Sequence, residues 1–484
     1  MNPSGFVFGQ NASLNVPASF TATTANGIGF NGSWFNAIGT NNYQDLIGSP
    51  NQFAFTMAQP GSIINGGNLG VSPGQNVTLL GGKVIVTGNV TAPGGNITIA
   101  AVPSENLVRI SKAGSLLSLE IATTTASSNS SLPTAVGISP LSLPQLLAGA
   151  GDIGNATGVV VDPNGTVRLV NANTSYDPET GDLQIADALI PASAGNFIAA
   201  VNLNTNNGLN GGGAITLKAP AGDITTRFLD SSSDVGRGGS ITLNAGGSID
   251  TTNSSLSSSS YGGNAGDINL IAAGNIKTGE INTHAELDSV NANVQGGKIT
   301  LNAGGAIDTS NGELNSATYN GNGGEITLTA RQDIKTARIN ASSTARGNGG
   351  KITFNAGGAI DTTGEWNSIT SNAWRGGNGG DITLNATGNI KAADLVAEAW
   401  KDGNGGKIAL NAGGAIDTTQ AFLSTYAVNG NGDDITLVRQ RVILAILQLL
   451  AGMVLIQAIL AQLRVTVAAI LILIAPMVAS ILKI

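Results

Sequence analysis

The chain has 484 residues, of which 68 are Gly, 15 Pro and none Cys, and aromatic residues make up only 4%. The formal net charge is −8 with 11% charged residues, and no Lys/Arg cluster marks a nucleic-acid footprint. Disulfides and cysteine metal sites are excluded, and 41% hydrophobic residues in short alternating runs argue for ordered β structure over disorder.

The chain opens Met1-Asn2-Pro3-Ser4-Gly5-Phe6-Val7-Phe8-Gly9, a turn followed by an alternating strand. It carries neither the basic residue nor the apolar core of a secretory signal peptide, so this product as it stands is not expected to be exported. Two later stretches, Val71-Ser72-Pro73-Gly74-Gln75-Asn76-Val77-Thr78-Leu79-Leu80-Gly81-Gly82 and Thr91-Ala92-Pro93-Gly94-Gly95-Asn96-Ile97-Thr98-Ile99, punctuate short strands with Pro-Gly turns. These segments resemble the secretion domain of the filamentous haemagglutinin-like family, exported by two-partner secretion. Residues 2–6 look like its Asn-Pro-x-Gly-Ile/Phe signature, with Ser4 where Asn is usual, and 71–99 look like its Pro-Gly-rich stretch. Residues 1–105 are assigned on this basis as a partial secretion domain. The resemblance implies an outer-membrane transporter as partner. It also implies a secreted or cell-surface adhesin as product, binding a host or neighbouring cell surface or its glycans. In that family the signature follows a signal peptide and the first coils, so the chain is expected to be truncated at its N-terminus.

Residues 106–210 form a transitional β region. Within it, 123–149 is rich in Ser, Thr, Pro and Leu and reads as an extruded loop, and Pro144-Gln145-Leu146-Leu147 as a short helix. Val159 to Leu169, with the turn Asp162-Pro163-Asn164-Gly165, reads as a hairpin or a further coil.

Residues 211–437 repeat. Ile215, Ile241, Ile268, Ile299, Ile326, Ile352, Ile382, Ile408 and Ile435 each open an Ile-Thr-Leu-like run, recurring every 26 to 31 residues. A period of this length signals a solenoid or array. Each unit holds two clear alternating runs, such as Ile299-Thr300-Leu301 and Ala306-Ile307-Asp308, and a weaker third, with Gly pairs between them. Helical periodicity and the leucine-rich signature are missing, and propeller blades need more residues. The predicted fold class is therefore all-β, a right-handed parallel β-helix (solenoid) with coils of ~27 residues, suited to the family's long shaft.

The units alternate in charge. After the second-strand Ile come Asp250, Lys277, Asp308, Lys335, Asp361, Lys391 and Asp417. Before the first-strand Ile come Asp267, Lys298, Glu325, Lys351, Asp381, Lys407 and Asp434. Stacked coils lie ~4.8 Å apart, where opposite charges attract and like charges repel. Both series are thus predicted to be exposed ladders that fix register over two coils.

No catalytic, cofactor-binding or metal residue is assigned, and no cofactor is expected. His284, the sole histidine, lies in a variable stretch and reads as an exposed loop residue. Some β-helices are polysaccharide lyases or hydrolases, and a carbohydrate-active enzyme is the alternative reading. The carboxylates Asp250, Asp308, Asp361 and Asp417, however, would stand ~10 Å apart with a Lys between, which suits a ladder and not an acid–base pair. Gly263-Asn264-Ala265-Gly266-Asp267 and Gly376-Gly377-Asn378-Gly379-Gly380-Asp381 echo a calcium-binding nonapeptide, but the period is wrong, and they read as turn glycines. Trp366, Trp374 and Trp400 fall in the third run or its loop. Glycan or partner contact and loop anchoring both stand for them, and no site is assigned.

From 438 the texture changes. Val442 to Leu463 and Val465 to Leu482 lack charges and would suit two membrane helices. The tail also keeps repeating Ile-Leu where the coils repeat Gly-Asn-Ile, and the codons GGT AAT ATT A read one base along give Val-Ile-Leu. The apolar tail 438–484 is thus expected to be the product of a frameshift near residue 437, helical if it folds at all. A membrane enters only if this tail is a genuine anchor.

Overall fold

A computed structural model describes residues 1–123 and 196–439, with five short strands within 159–190, apart from residues 10, 15, 51, 104, 105, 114, 115, 287–293 and 365. The fold follows from alternation. In Ile299–Ala303 the side chains of Ile299, Leu301 and Ala303 are buried, while Thr300 and Asn302 point outward. Such a strand presents one apolar face and must stack to cover it.

Twelve strands of this kind form one parallel sheet, from Phe20–Thr23 through Val77–Gly81, Ile97–Ala101 and Ile215–Ala219 to Ile435–Arg439. Register holds without slip: Ile215 faces Ile241, Ile241 faces Ile268, and so on to Ile408 facing Ile435. The second runs stack into another face, with Ile276, Ile307, Ile334, Ile360, Ile390 and Ile416 in column. The weaker third run forms its own column of Ile281, Leu314, Ile339, Ile369, Leu395 and Leu423. The chain is a parallel β-solenoid with the core inside. Each fully buried Ile or Leu contributes about 1.5–3 kcal/mol. Threonines 251, 278, 309, 336 and 362 are also wholly buried at the corner after the second run.

The N-terminal coils belong to the same sheet, since Ile97–Ala101 pairs directly with Ile215–Ala219. The next strand of that coil is Ile198–Asn204, which pairs with both Val84–Thr91 and Ile224–Asp230. Residues 102–197 are therefore an insertion within a single coil. Asn196 ties its ends together by donating to the carbonyls of Val102 and Gly82 at 3.0 and 2.7 Å. An earlier insertion at the same corner supplies Gly27–Phe30, Ser33–Asn36 and Gln52–Phe55, and these join Asn106–Ala113 and Leu116–Thr123 in a five-stranded antiparallel side sheet. Phe53, Phe55 and Val108 of this sheet cover Leu80 and Ala100. That cover explains why Val77–Gly81 and Ile97–Ala101 are buried on both faces while later rungs alternate.

Of the two readings of Val159 to Leu169, a hairpin or a further coil, the pairing is that of a hairpin: Val159–Val161 pairs antiparallel with Val167–Leu169, within a five-stranded meander. The short helix at 144–147, the loop at 123–149 beyond Thr123, and the tail beyond Arg439 lie outside the described residues. Among the described residues no helix is long and apolar enough to cross a membrane.

Candidate functional site

The N-terminal signature is a built turn. Asn2 accepts from the Ser4 amide at 3.3 Å through its side chain, donates its side-chain amide to the Gly5 carbonyl at 2.8 Å, and receives the Gly5 amide on its own carbonyl at 3.2 Å. Gly5 has φ 123°, closed to side chains. Pro3 is buried while Asn2 and Ser4 are exposed. The turn aims Phe6–Phe8 into the solenoid, parallel to Ile63–Asn65. Phe6, Phe8 and Phe20 then pack against one another and the core.

The two Pro-Gly motifs are stacked turns. Gln75 donates back to Ser72 at 3.0 Å and Gly95 to Ala92 at 2.9 Å, with Gly74 at φ 79° and Gly94 at φ 65°. Pro then Gly at the two central positions is what a type II turn requires. The Gly74 amide donates to Pro93 of the next coil, and Gly94 to Thr205 of the one after. Lys83 lies 5.5 Å from the Phe197 ring centre, and burial pushes its pKa below the usual lysine value.

Both charge ladders stand where the alternation places them. Asp250 faces Lys277, Lys277 faces Asp308, and the column continues through Lys335, Asp361 and Lys391 to Asp417. The second column is seen through the backbone, each first-strand Ile amide donating to the carbonyl of the ladder residue one coil on, from Asp267 to Asp434. Within that column Lys298 and Glu325 form an ion pair at 3.4 Å.

The ladder aspartates also cap their own turns, a role the charge pattern alone does not reveal. Asp250, Asp308, Asp361 and Asp417 each accept from the amide and hydroxyl of the residue two positions on, namely Thr252, Ser310, Thr363 and Thr419. The recurrent Asp-Thr-Thr/Ser triplet was the available signal. For Asp308, partial burial raises the pKa, yet the bonds from Ser310 and the charges of Lys335 and Lys277 outweigh it and leave the carboxyl below its ordinary value. The Thr419 bonds do the same for Asp417, with burial opposing and Lys391 helping.

A third column is asparagine. Asn322 accepts from the amide of Asn348, Asn348 from Asn378, Asn378 from Asn404 and Asn404 from Asn431, all at 2.8–3.0 Å. Its sign in the sequence is the Asn that precedes successive glycine pairs. Those glycines are structural. A Cβ on Gly324, Gly350, Gly380 or Gly406 would collide with the carbonyl of the equivalent glycine one coil back. Asp381 is occupied likewise, accepting from the Lys407 amide at 3.0 Å.

His284 is part-buried and sits 3.6 Å from Glu286. Trp366 is 88% exposed with φ 66° and stacks on no ring among the described residues. Trp374 and Trp400 are brought together, their rings stacked 5.3 Å apart, and Tyr426 meets Trp400 edge-on at 6.1 Å.

A family model described as the TPS secretion domain matches residues 1–139. No match is found among curated proteins or among solved structures. The matched span covers the signature turn, the stacked Pro-Gly turns and the side sheet through Thr123. A TPS domain at the head of a continuous parallel β-solenoid fits a two-partner-secretion exoprotein of the filamentous haemagglutinin-like kind.

Proposed function

We propose that the chain is the adhesive exoprotein of a two-partner system. A TPS domain implies an outer-membrane transporter as partner and a secreted or cell-surface product. On this reading 1–105 is the part recognised, 106–210 an elaborated coil region, and 211–437 a shaft that contacts a host or neighbouring cell surface, glycans included. The observation that carries the reading is the direct pairing of Ile97–Ala101 with Ile215–Ala219. A secretion domain folding first would offer its last strand as a template, and each coil would then template the next as the chain emerges. The carboxylates of the Asp column are engaged by their own turns and flanked by Lys, which disfavours a paired acid–base role.

The test is export followed by adhesion. The chain is placed behind a cleavable signal peptide and co-expressed with a two-partner transporter. Secreted protein is expected with the transporter and not without it. Purified product is then added to epithelial and bacterial cells, before and after glycosidase treatment. Transporter-independent release, or no retention on any cell, would reject the proposal.

A further inference from the structure

Trp374 and Trp400 are the residues that follow Ala373 and Ala399, which face each other across adjacent coils. Trp374 and Trp400 are each 44% exposed, and their stack runs from one coil to the next. Short pinned turns hold it. Gly376, Gly377 and Gly403 have φ of 139°, 107° and 125°, and the Gly377 amide donates to Asp402 at 2.9 Å. One end of the stack is closed by the edge of Tyr426. At the other, the equivalent position one coil back is Thr344, because Ser343 faces Ala373. Among the described residues no ring stacks on that outer face of Trp374. A basic residue follows each indole, Arg375 and Lys401, and neither forms an ion pair among the described residues.

We propose that this shelf binds an acidic polysaccharide, a sugar ring lying on the outer face of Trp374 and its anionic groups meeting Arg375 and Lys401. The inference rests on the adhesin reading and names a ligand class for it. An indole face carries negative potential, which the C–H face of a pyranose complements. Guanidinium and ammonium groups supply charge complementarity to carboxylate or sulfate. A rigid platform loses little freedom on binding, and exposed aromatic surface fixed in this way marks an interaction site.

The purified chain is titrated with polygalacturonate, dextran sulfate and neutral dextran, with tryptophan emission and retention on immobilised polymer as readouts. Binding of polygalacturonate, dextran sulfate or both is expected, at least tenfold tighter than dextran, and the two acidic arms separate carboxylate from sulfate recognition. Trp374→Ala and Thr344→Trp, the latter filling the shelf by extending the stack, should each weaken binding at least tenfold. Trp366→Ala should leave it unchanged. Equal affinity for dextran, or wild-type binding by both Trp374→Ala and Thr344→Trp, overturns the proposal. Wild-type polymer binding by both variants alongside intact cell adhesion would remove this site and leave the adhesin reading intact. Polysaccharide binding through Trp374 without any cell adhesion would do the reverse.

Discussion

Asp308 serves two neighbours at once. It caps its own turn through the Ser310 amide and hydroxyl at 3.0 and 2.6 Å and stands between Lys277 and Lys335 in the ladder. Asp308→Ala removes both roles and should destabilise the local coils by about 1 kcal/mol. Asp308→Asn keeps an acceptor for the cap and should cost less. Urea denaturation of the two variants at neutral pH separates them. The acid limb follows from the same geometry. The folded pKa of Asp308 lies below its ordinary 3.8, so its contribution is complete above that value and is lost as pH falls through the folded pKa. The wild type should therefore lose stability below pH 3.8 more steeply than Asp308→Asn, which has no carboxyl to protonate there. Parallel acid limbs would count against the capped, ladder-paired carboxylate. Gly350 tests close approach: with no room for a Cβ beside the Gly324 carbonyl, Gly350→Ala should cost about 1–3 kcal/mol.

At the scale of the element, the coil is a strand set whose corners are held by side chains of the neighbouring coil. Asn348 accepts the Asn378 amide, so Asn348→Ala should open that corner by about 1 kcal/mol. Faster hydrogen exchange at Asn378, with Ile352–Ala356 unchanged, is the expected signature. The charge ladder sets register and contributes little energy at each rung. Lys335→Asp places three carboxylates in succession at 308, 335 and 361. It should destabilise by up to about 1 kcal/mol for each new like pair, and 1 M salt should restore most of the loss. A salt-independent loss would point to packing instead.

The whole molecule is quasi-one-dimensional, each coil touching only its neighbours, so whole coils can be removed. The two-coil period decides which removals are tolerated. Deleting residues 326–381 brings Asp308 onto Lys391 and Glu325 onto Lys407, preserving alternation in both columns. Deleting only 326–351 brings Asp308 onto Asp361 and Glu325 onto Asp381. The longer deletion is expected to leave the more stable protein, measured by thermal unfolding. The opposite order would show that the ladders do not govern register. Core loss is a larger effect: Ile326 is fully buried, and Ile326→Ala should cost about 2–5 kcal/mol.

The sequence by itself determined the repeating coil, its three runs and the two charge columns. These depend on period and alternation, which are local and one-dimensional, and a solenoid stacks each residue on its equivalent one period later. The Pro-Gly turns and the Asn-Pro-Ser-Gly opening were legible for the same reason, since turn chemistry is set by the residues within the turn. Only the tertiary structure decided that 102–197 interrupts a single coil, because Ile97 meets Ile215 across that whole span. It alone placed the side sheet over Leu80 and Ala100, two residues that look misplaced on an outward face until another sheet covers them. It alone joined Trp374 to Trp400. Each stands eight residues before a first-strand Ile, Ile382 and Ile408, which puts the two in one column, but the face-to-face stacking of their rings is set by side-chain rotamers, which spacing along the chain does not encode.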